Sequence, residues 1–150
     1  MRKSIKMFIL MIMMLSIVGC GNQNNSSNNK NNKLICESEG KSGDIKIVQK
    51  YTLDYDKDIV TKVKQKKVYS FYNEEEFKSF KNIIDSTIND MKELENNHIR
   101  YKSKEGTKSY TLELIVDMTK ATNEELESLN LNKDLNELKN NLELQGLTCK

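Results

Sequence analysis

The chain has 150 residues, 31% of them charged and 37% hydrophobic, which is about one domain in length and lean but sufficient for a small core if the apolar positions recur periodically. Of its 24 basic residues, Arg2, Lys3 and Lys6 precede a predicted cleavage between Gly19 and Cys20, leaving 21 bases against 22 acids beyond it. That near-balance gives no overall pull toward nucleic acid, and none is expected as a partner.

Residues 1–19 read as an address. The three bases flank an apolar run, Met7 to Val18, of about a dozen residues, whereas spanning a bilayer takes roughly 20. A signal-peptide core fits that length; an uncleaved anchor helix is the alternative. The following Ile17-Val18-Gly19-Cys20-Gly21 resembles the lipobox of bacterial lipoprotein signal peptides. The chemistry requires a thiolate that can reach a glyceryl carbon and a small residue that leaves the next peptide bond open to a membrane-embedded peptidase. The resemblance implies that Cys20 becomes a diacylglyceryl cysteine bearing fatty chains such as palmitate. It also implies that Gly19–Cys20 is the scissile bond, so that the product sits lipid-anchored on the extracytoplasmic face of the cell membrane. One acyl chain binds a membrane marginally, but two or three anchor it stably.

Residues 20–33 are then the lipidated cysteine and a tether. Gly21 to Lys33 contains only Gly, Asn, Gln, Ser and Lys, with nothing to offset the entropy of ordering, and disorder is expected. As a flexible linker it would span about 20 Å, enough to lift a domain off the headgroups.

Residues 34–150 are predicted to form one α+β domain. In Ile45, Ile47, Tyr51, Leu53 and Tyr55 the odd positions are apolar, with Lys46, Lys50, Thr52 and Asp54 between them, as in a half-buried strand. Asp56-Lys57-Asp58 offers a turn, and Ile59, Val63, Tyr69 and Phe71 continue the phase in a second strand, making an antiparallel hairpin. Asn73 is placed to cap a helix whose third residue is Glu76, with Phe77, Phe80, Ile84, Ile88, Met91 and Leu94 on one face as far as about Glu95. Ile99 and Tyr101 open a strand that Lys104-Glu105-Gly106-Thr107 is predicted to turn. Tyr110, Leu112, Leu114, Val116 and Met118 give the cleanest alternation and so a central strand. Thr122-x-x-Glu125 is a capping box before Leu126 and Leu129, a further helix starting at Asn132 or Lys133 carries Leu135, Leu138 and Leu142, and Gly146 is a natural stop. Leu147-Thr148-Cys149 forms a terminal extended segment. Strands, helix, strands, helices suggests an antiparallel sheet with helices on one face.

With Cys20 lipidated, Cys36 and Cys149 remain, one near each end of the domain, and outside the cytosol they are free to oxidise. A bond would clip the first and last strands together; two unpaired thiols are the alternative. No cofactor or metal is expected: His98 is the only histidine, without carboxylates or thiolates at ligand spacing, and reads as a surface or capping residue. No Gly-x-Ser-x-Gly elbow or glycine-rich phosphate loop occurs. Glu74 to Glu76 complement a helix dipole and need no ligand. Lys62, Lys64 and Lys66 with Lys67, joined across the hairpin by Lys46 and Lys50, are expected to form a basic stripe. It could meet anionic headgroups or an anionic wall polymer, or be simply a solvated sheet face.

The layout of lipobox, polar tether, twin strands, amphipathic helix, long alternating strand and Leu-rich C-terminal helix resembles the YehR-like family of small bacterial lipoproteins. That resemblance implies an α+β fold and a lipid anchor and carries over no functional residue. The expected role is a membrane-anchored, monomeric binding module for a protein, a polymer or a small ligand. An envelope enzyme and a purely structural envelope protein are the alternatives.

Overall fold

The structure is a computed structural model that describes residues 32–150; the signal, lipidation and most of the tether readings fall on residues 1–31 and lie outside the described residues. Six strands, all antiparallel to their neighbours, form one sheet. They are β1 (Asn32–Ser42), β2 (Ile45–Asp56), β3 (Ile59–Phe71), β4 (Ile99–Gly106), β5 (Ser109–Asp117) and β6 (Thr148–Cys149), in the spatial order β4-β5-β3-β2-β1-β6. Three helices follow the strands they cover: α1 (Glu74–Glu93) after β3, then α2 (Asn123–Ser128) and α3 (Leu135–Leu144) after β5. The predicted α+β class is what forms.

The twin hairpin arises where two tight connections are chemically possible. Gly43 takes φ 58° between β1 and β2, and Lys57 takes φ 54° between β2 and β3. Glycine enters that left-handed region freely, while Lys57 does so at some cost. The register then pairs Leu53 with Val63 and Ile47 with Tyr69, and the odd residues of β2 and β3 share one face of the sheet. A bulge at Asp54/Tyr55 turns the start of β3 so that Val60 is buried as well.

That inner face is covered in two places. Phe77 and Ile84 of α1 pack on Tyr69, Phe71 and Tyr110, with Phe71 and Phe77 edge to face at 5.5 Å between ring centroids. Leu126, Leu138 and Leu142 of α2 and α3 pack with Leu53, Val60, Val63, Val116 and Met118, forming the second and larger cluster. Each fully buried side chain of this size contributes about 1.5–3 kcal/mol through lost apolar hydration. The described helices all lie on this face, so the other face of the sheet is bare among the described residues.

Several boundaries differ from expectation. β1 was not legible as an alternating strand and takes in Asn32 and Lys33, two residues assigned above to the tether; Lys33 sits 3.9 Å from Asp54 on the neighbouring strand. β4 runs through Lys104 to Gly106 instead of turning there, because these residues pair in full register with Ser109 to Thr111. α3 starts after Asp134, whose carboxylate accepts from the Glu137 amide at 2.9 Å, since Asn132 and Lys133 are occupied docking the segment onto the start of β3 through Val60 N–H to Lys133 O at 2.8 Å. The alternating strand β5 is internal, between β4 and β3.

Cys36 and Cys149 face each other on β1 and β6 and are joined as a disulfide. Ile35 and Lys150 exchange both backbone hydrogen bonds, at 3.0 and 2.8 Å, which puts the cysteines at the adjacent non-hydrogen-bonded pair, where side chains approach most closely. The bond closes the chain across a separation of 113 residues.

Candidate functional site

Two surfaces carry chemistry, one on each face of the sheet. The bare outer face presents Lys62, Lys64 and Lys66 of β3, each exposed, together with Lys46 and Lys50 of β2. Lys46 pairs with Glu39 at 2.6 Å, Lys50 with Glu37 at 2.5 Å and Lys64 with Glu113 at 3.5 Å. Lys62 and Lys66 have no carboxylate within ion-pair range among the described residues. Register adds a second column that the sequence left unremarked: Arg100, Lys102 and Lys104 of β4 stand opposite Ile115, Glu113 and Thr111 of β5. The same three β5 residues face Lys64, Lys66 and Val68 on their other side. Two files of cations therefore flank β5, two strand spacings or about 10 Å apart, with successive charges about 7 Å apart along each file. None of Arg100, Lys102 and Lys104 has an ion-pair partner among the described residues.

Lys67 does not belong to this stripe, contrary to the sequence reading. Its odd number puts it in phase with Val63, Tyr69 and Phe71, and it points to the inner face beside Gln65. There it pairs across the sheet with Gln49, which in turn faces Ser38 of β1. This polar row falls between the two apolar clusters.

Between the C-terminal half of α1 and strands β3, β5 and β4 a cleft of about 120 Å³ opens, with Lys67 as the member of that row that lines it. Ile88, Met91 and Leu94 form its roof, Leu112 and Leu114 its apolar floor, and Leu129 closes one end. Lys67, Tyr69, Tyr101 and Ser103 add polar groups. Burial without a compensating charge lowers the Lys67 ammonium from its ordinary value to about 8. Burial also raises the Tyr101 phenol to about 12, with the Glu95 charge adding to the effect, and raises Tyr69 further. Gln65, by contrast, is committed: its amide donates to the Tyr51 hydroxyl at 2.7 Å.

His98 sits at the mouth of β4. Its Nε2 lies 2.9 Å from Glu125 Oε2, and Asn96 Nδ2 donates to the other carboxylate oxygen at 2.8 Å. Glu125 also closes the predicted capping box, accepting from the Thr122 amide at 2.8 Å. That amide, then His98, hold its carboxyl down at about 2. An ionised carboxylate only accepts, so His98 Nε2 carries the proton between them. The constellation ties α2 to the start of β4, a stapling role. Glu74 to Glu76 occupy the first turn of α1, where the Asn73 side chain accepts from the Glu76 amide at 2.8 Å. Among the described residues no group of three or more His, Cys, Asp or Glu side chains is placed to hold a metal ion, and no helix is long and apolar enough to cross a membrane.

Of the residues singled out in the sequence, Cys36 and Cys149 are brought together, Lys62, Lys64 and Lys66 are set on one open face, and Gly19 and Cys20 lie outside the described residues. No family model and no curated protein matches this chain. Its fold is similar to a solved structure described as the NMR structure of the protein from Streptococcus pneumoniae TIGR4, with a TM-score of 0.53 and 10% identity over 90% of this chain and 94% of that one. At that identity the likeness shows a shared fold.

Proposed function

We propose that this chain is a lipid-anchored extracytoplasmic binding module that contacts a linear polyanion of the cell envelope through the outer face of its sheet. The observation that carries the reading is the bare basic face: the described helices stack on the opposite side, and two files of cations flank β5. Water-exposed lysines singly mean little, but an ordered array repeats charge along a line. A polymer with regularly spaced anionic groups can match that repeat and release its counterions as it docks.

The address is supported by the lipobox-like Ile17-Val18-Gly19-Cys20 and by a domain closed with a disulfide, which persists in oxidising compartments. Membership in the YehR-like lipoproteins is part of the same proposal and rests on the order of elements.

The test is equilibrium binding of the full chain in mild detergent to long-chain inorganic polyphosphate over a salt series, for wild type and the K62Q/K64Q/K66Q variant. Wild type is expected to bind with a steep salt dependence, and the variant to lose about two units of log–log slope, since each neutralised phosphate on a flexible strand contributes roughly 0.7. Identical slopes would reject the outer face as the contact. Equal binding to anionic lipid vesicles, with none to the polymer, would replace the polymer by headgroups. Separately, mass analysis of the native amino terminus should find a diacylated Cys20; an unprocessed Met1 removes the anchor from the reading.

A further inference from the structure

We propose that the cleft beneath the C-terminal half of α1 is a binding site for a small carboxylate with an apolar, ring-sized body, its carboxylate seated on Lys67. The site is on the opposite face of the sheet from the basic array and does not depend on it.

Three features of the cleft converge on that chemistry. Its walls are aliphatic where a ligand body would lie: Ile88, Met91 and Leu94 above, Leu112 and Leu114 below. Its volume of about 120 Å³ is of the order of cavities of about 150 Å³ that take up benzene, so the body it accommodates is about that size. Three of its polar side chains, Lys67, Tyr69 and Tyr101, offer protons that no acceptor among the described residues takes up. Lys67 makes no hydrogen bond or ion pair among the described residues, nor do the hydroxyls of Tyr69 and Tyr101 in the same lining. An ammonium and two neutral phenols can all give protons to hydrogen bonds, and a carboxylate, which only accepts, satisfies such a set.

A half-buried amine facing apolar walls is costly unless something pairs with it, and its lowered protonation range is the mark of that cost. The charged groups around it do not pair with it. Lys102 and Glu113 border the cleft but alternate to the outer face, where Glu113 meets Lys64. Asp90 and Lys92 of α1 stand at the rim and offset one another in sign. Tyr69 and Tyr101 stay protonated through the alkaline range in which Lys67 gives up its proton. The cross-strand neighbour from β2 is the uncharged Gln49.

A ligand anion would favour the protonated amine, so affinity should fall as pH rises above about 8.

The experiment titrates the full chain, in mild detergent, with benzoate, 3-phenylpropionate and hexanoate, and with benzamide as the uncharged counterpart of benzoate. Amide and side-chain NMR shifts report the location. At least one carboxylate should saturate at about millimolar concentration or below, moving the signals of Lys67, Tyr101, Ser103 and Met91. Benzamide should bind about tenfold or more weakly, and wild-type affinity should fall between pH 7 and 10. K67M should lose about tenfold in affinity and its pH dependence, while retaining the wild-type near-UV spectrum. If K67M does not fold, the pH profile and the benzamide comparison decide on wild type. No carboxylate saturating below about 10 mM, shifts confined to another surface, benzamide binding as tightly as benzoate, or a folded K67M binding within about twofold of wild type would each overturn the proposal.

Discussion

Replacing both bonded cysteines, as C36A/C149A, probes the feature that most separates this chain's folded and unfolded states. The bond spans a separation of 113 residues, and the loop-entropy relation for a ring of that size gives about 4–5 kcal/mol of destabilisation of the unfolded ensemble. Cys36 is fully buried in the larger cluster, so the loss of its sulfur adds a small cavity cost of about 1 kcal/mol or less. For a folded body of roughly 120 residues, unfolding entropy near the midpoint is about 0.25 kcal/mol per degree, so the expected fall in Tm is about 16–24 °C. Reduction of the wild type should produce most of the same shift without the cavity. A local consequence should accompany it. β6 pairs with β1 over only two residues, and without the bond it depends on the Ile35–Lys150 pair of hydrogen bonds and the burial of Leu147. Hydrogen exchange at Ile35 and Lys150 should therefore accelerate more than exchange in β2 or β3. The measurements are differential scanning calorimetry of wild type, reduced wild type and variant, with exchange followed by NMR. A Tm change below about 5 °C in both cases, with unchanged exchange at those two amides, would refute the loop-closure reasoning.

Two further outcomes follow from the ionisable groups. The folded pKa of Lys67, about 8, lies below its ordinary 10.5, so the folded state binds fewer protons than the unfolded state between those values and stability should rise with pH across that window. K67M should abolish that rise and, by removing an uncompensated amine, stabilise the protein at pH 7 by about 1–3 kcal/mol in urea melts; a destabilised variant would contradict the assignment. For Glu125 the sign is opposite: a folded pKa of about 2 means its contribution is fully present above about 4.5 and is lost as pH falls toward 2. E125Q should cost about 1–2 kcal/mol at pH 6, with the difference from wild type shrinking below pH 4; a gap that stays constant down to pH 2.5 would show that the carboxylate's charge is not what matters.

Much of the architecture was legible locally. The alternation in β2, β3 and β5, the three-four spacing of α1, the Asn73 and Thr122 caps and the stop at Gly146 each depend on residues within a few positions of one another, and all are present in the structure. β1 was not legible as such a strand because its inward positions include Ser38, Gly40 and Ser42. Ser38 belongs to the polar row it shares with Gln49 and Lys67, so the usual apolar alternation is absent there. The inward direction of Lys67 was in principle readable, since it shares the odd phase of Tyr69 and Phe71; a run of lysines hid it.

By itself the sequence determined the class of fold and the extent of most elements, because periodicity, capping and turn chemistry act over short range. Strand order was decided only in three dimensions. Insertion of β5 between β3 and β4 brings Arg100, Lys102 and Lys104 alongside Lys62, Lys64 and Lys66, and the packing of α1 on the other face half-buries Lys67 beneath it. These juxtapositions join residues more than thirty positions apart. No local pattern encodes them, since they follow from how the apolar faces of separate elements are jointly buried.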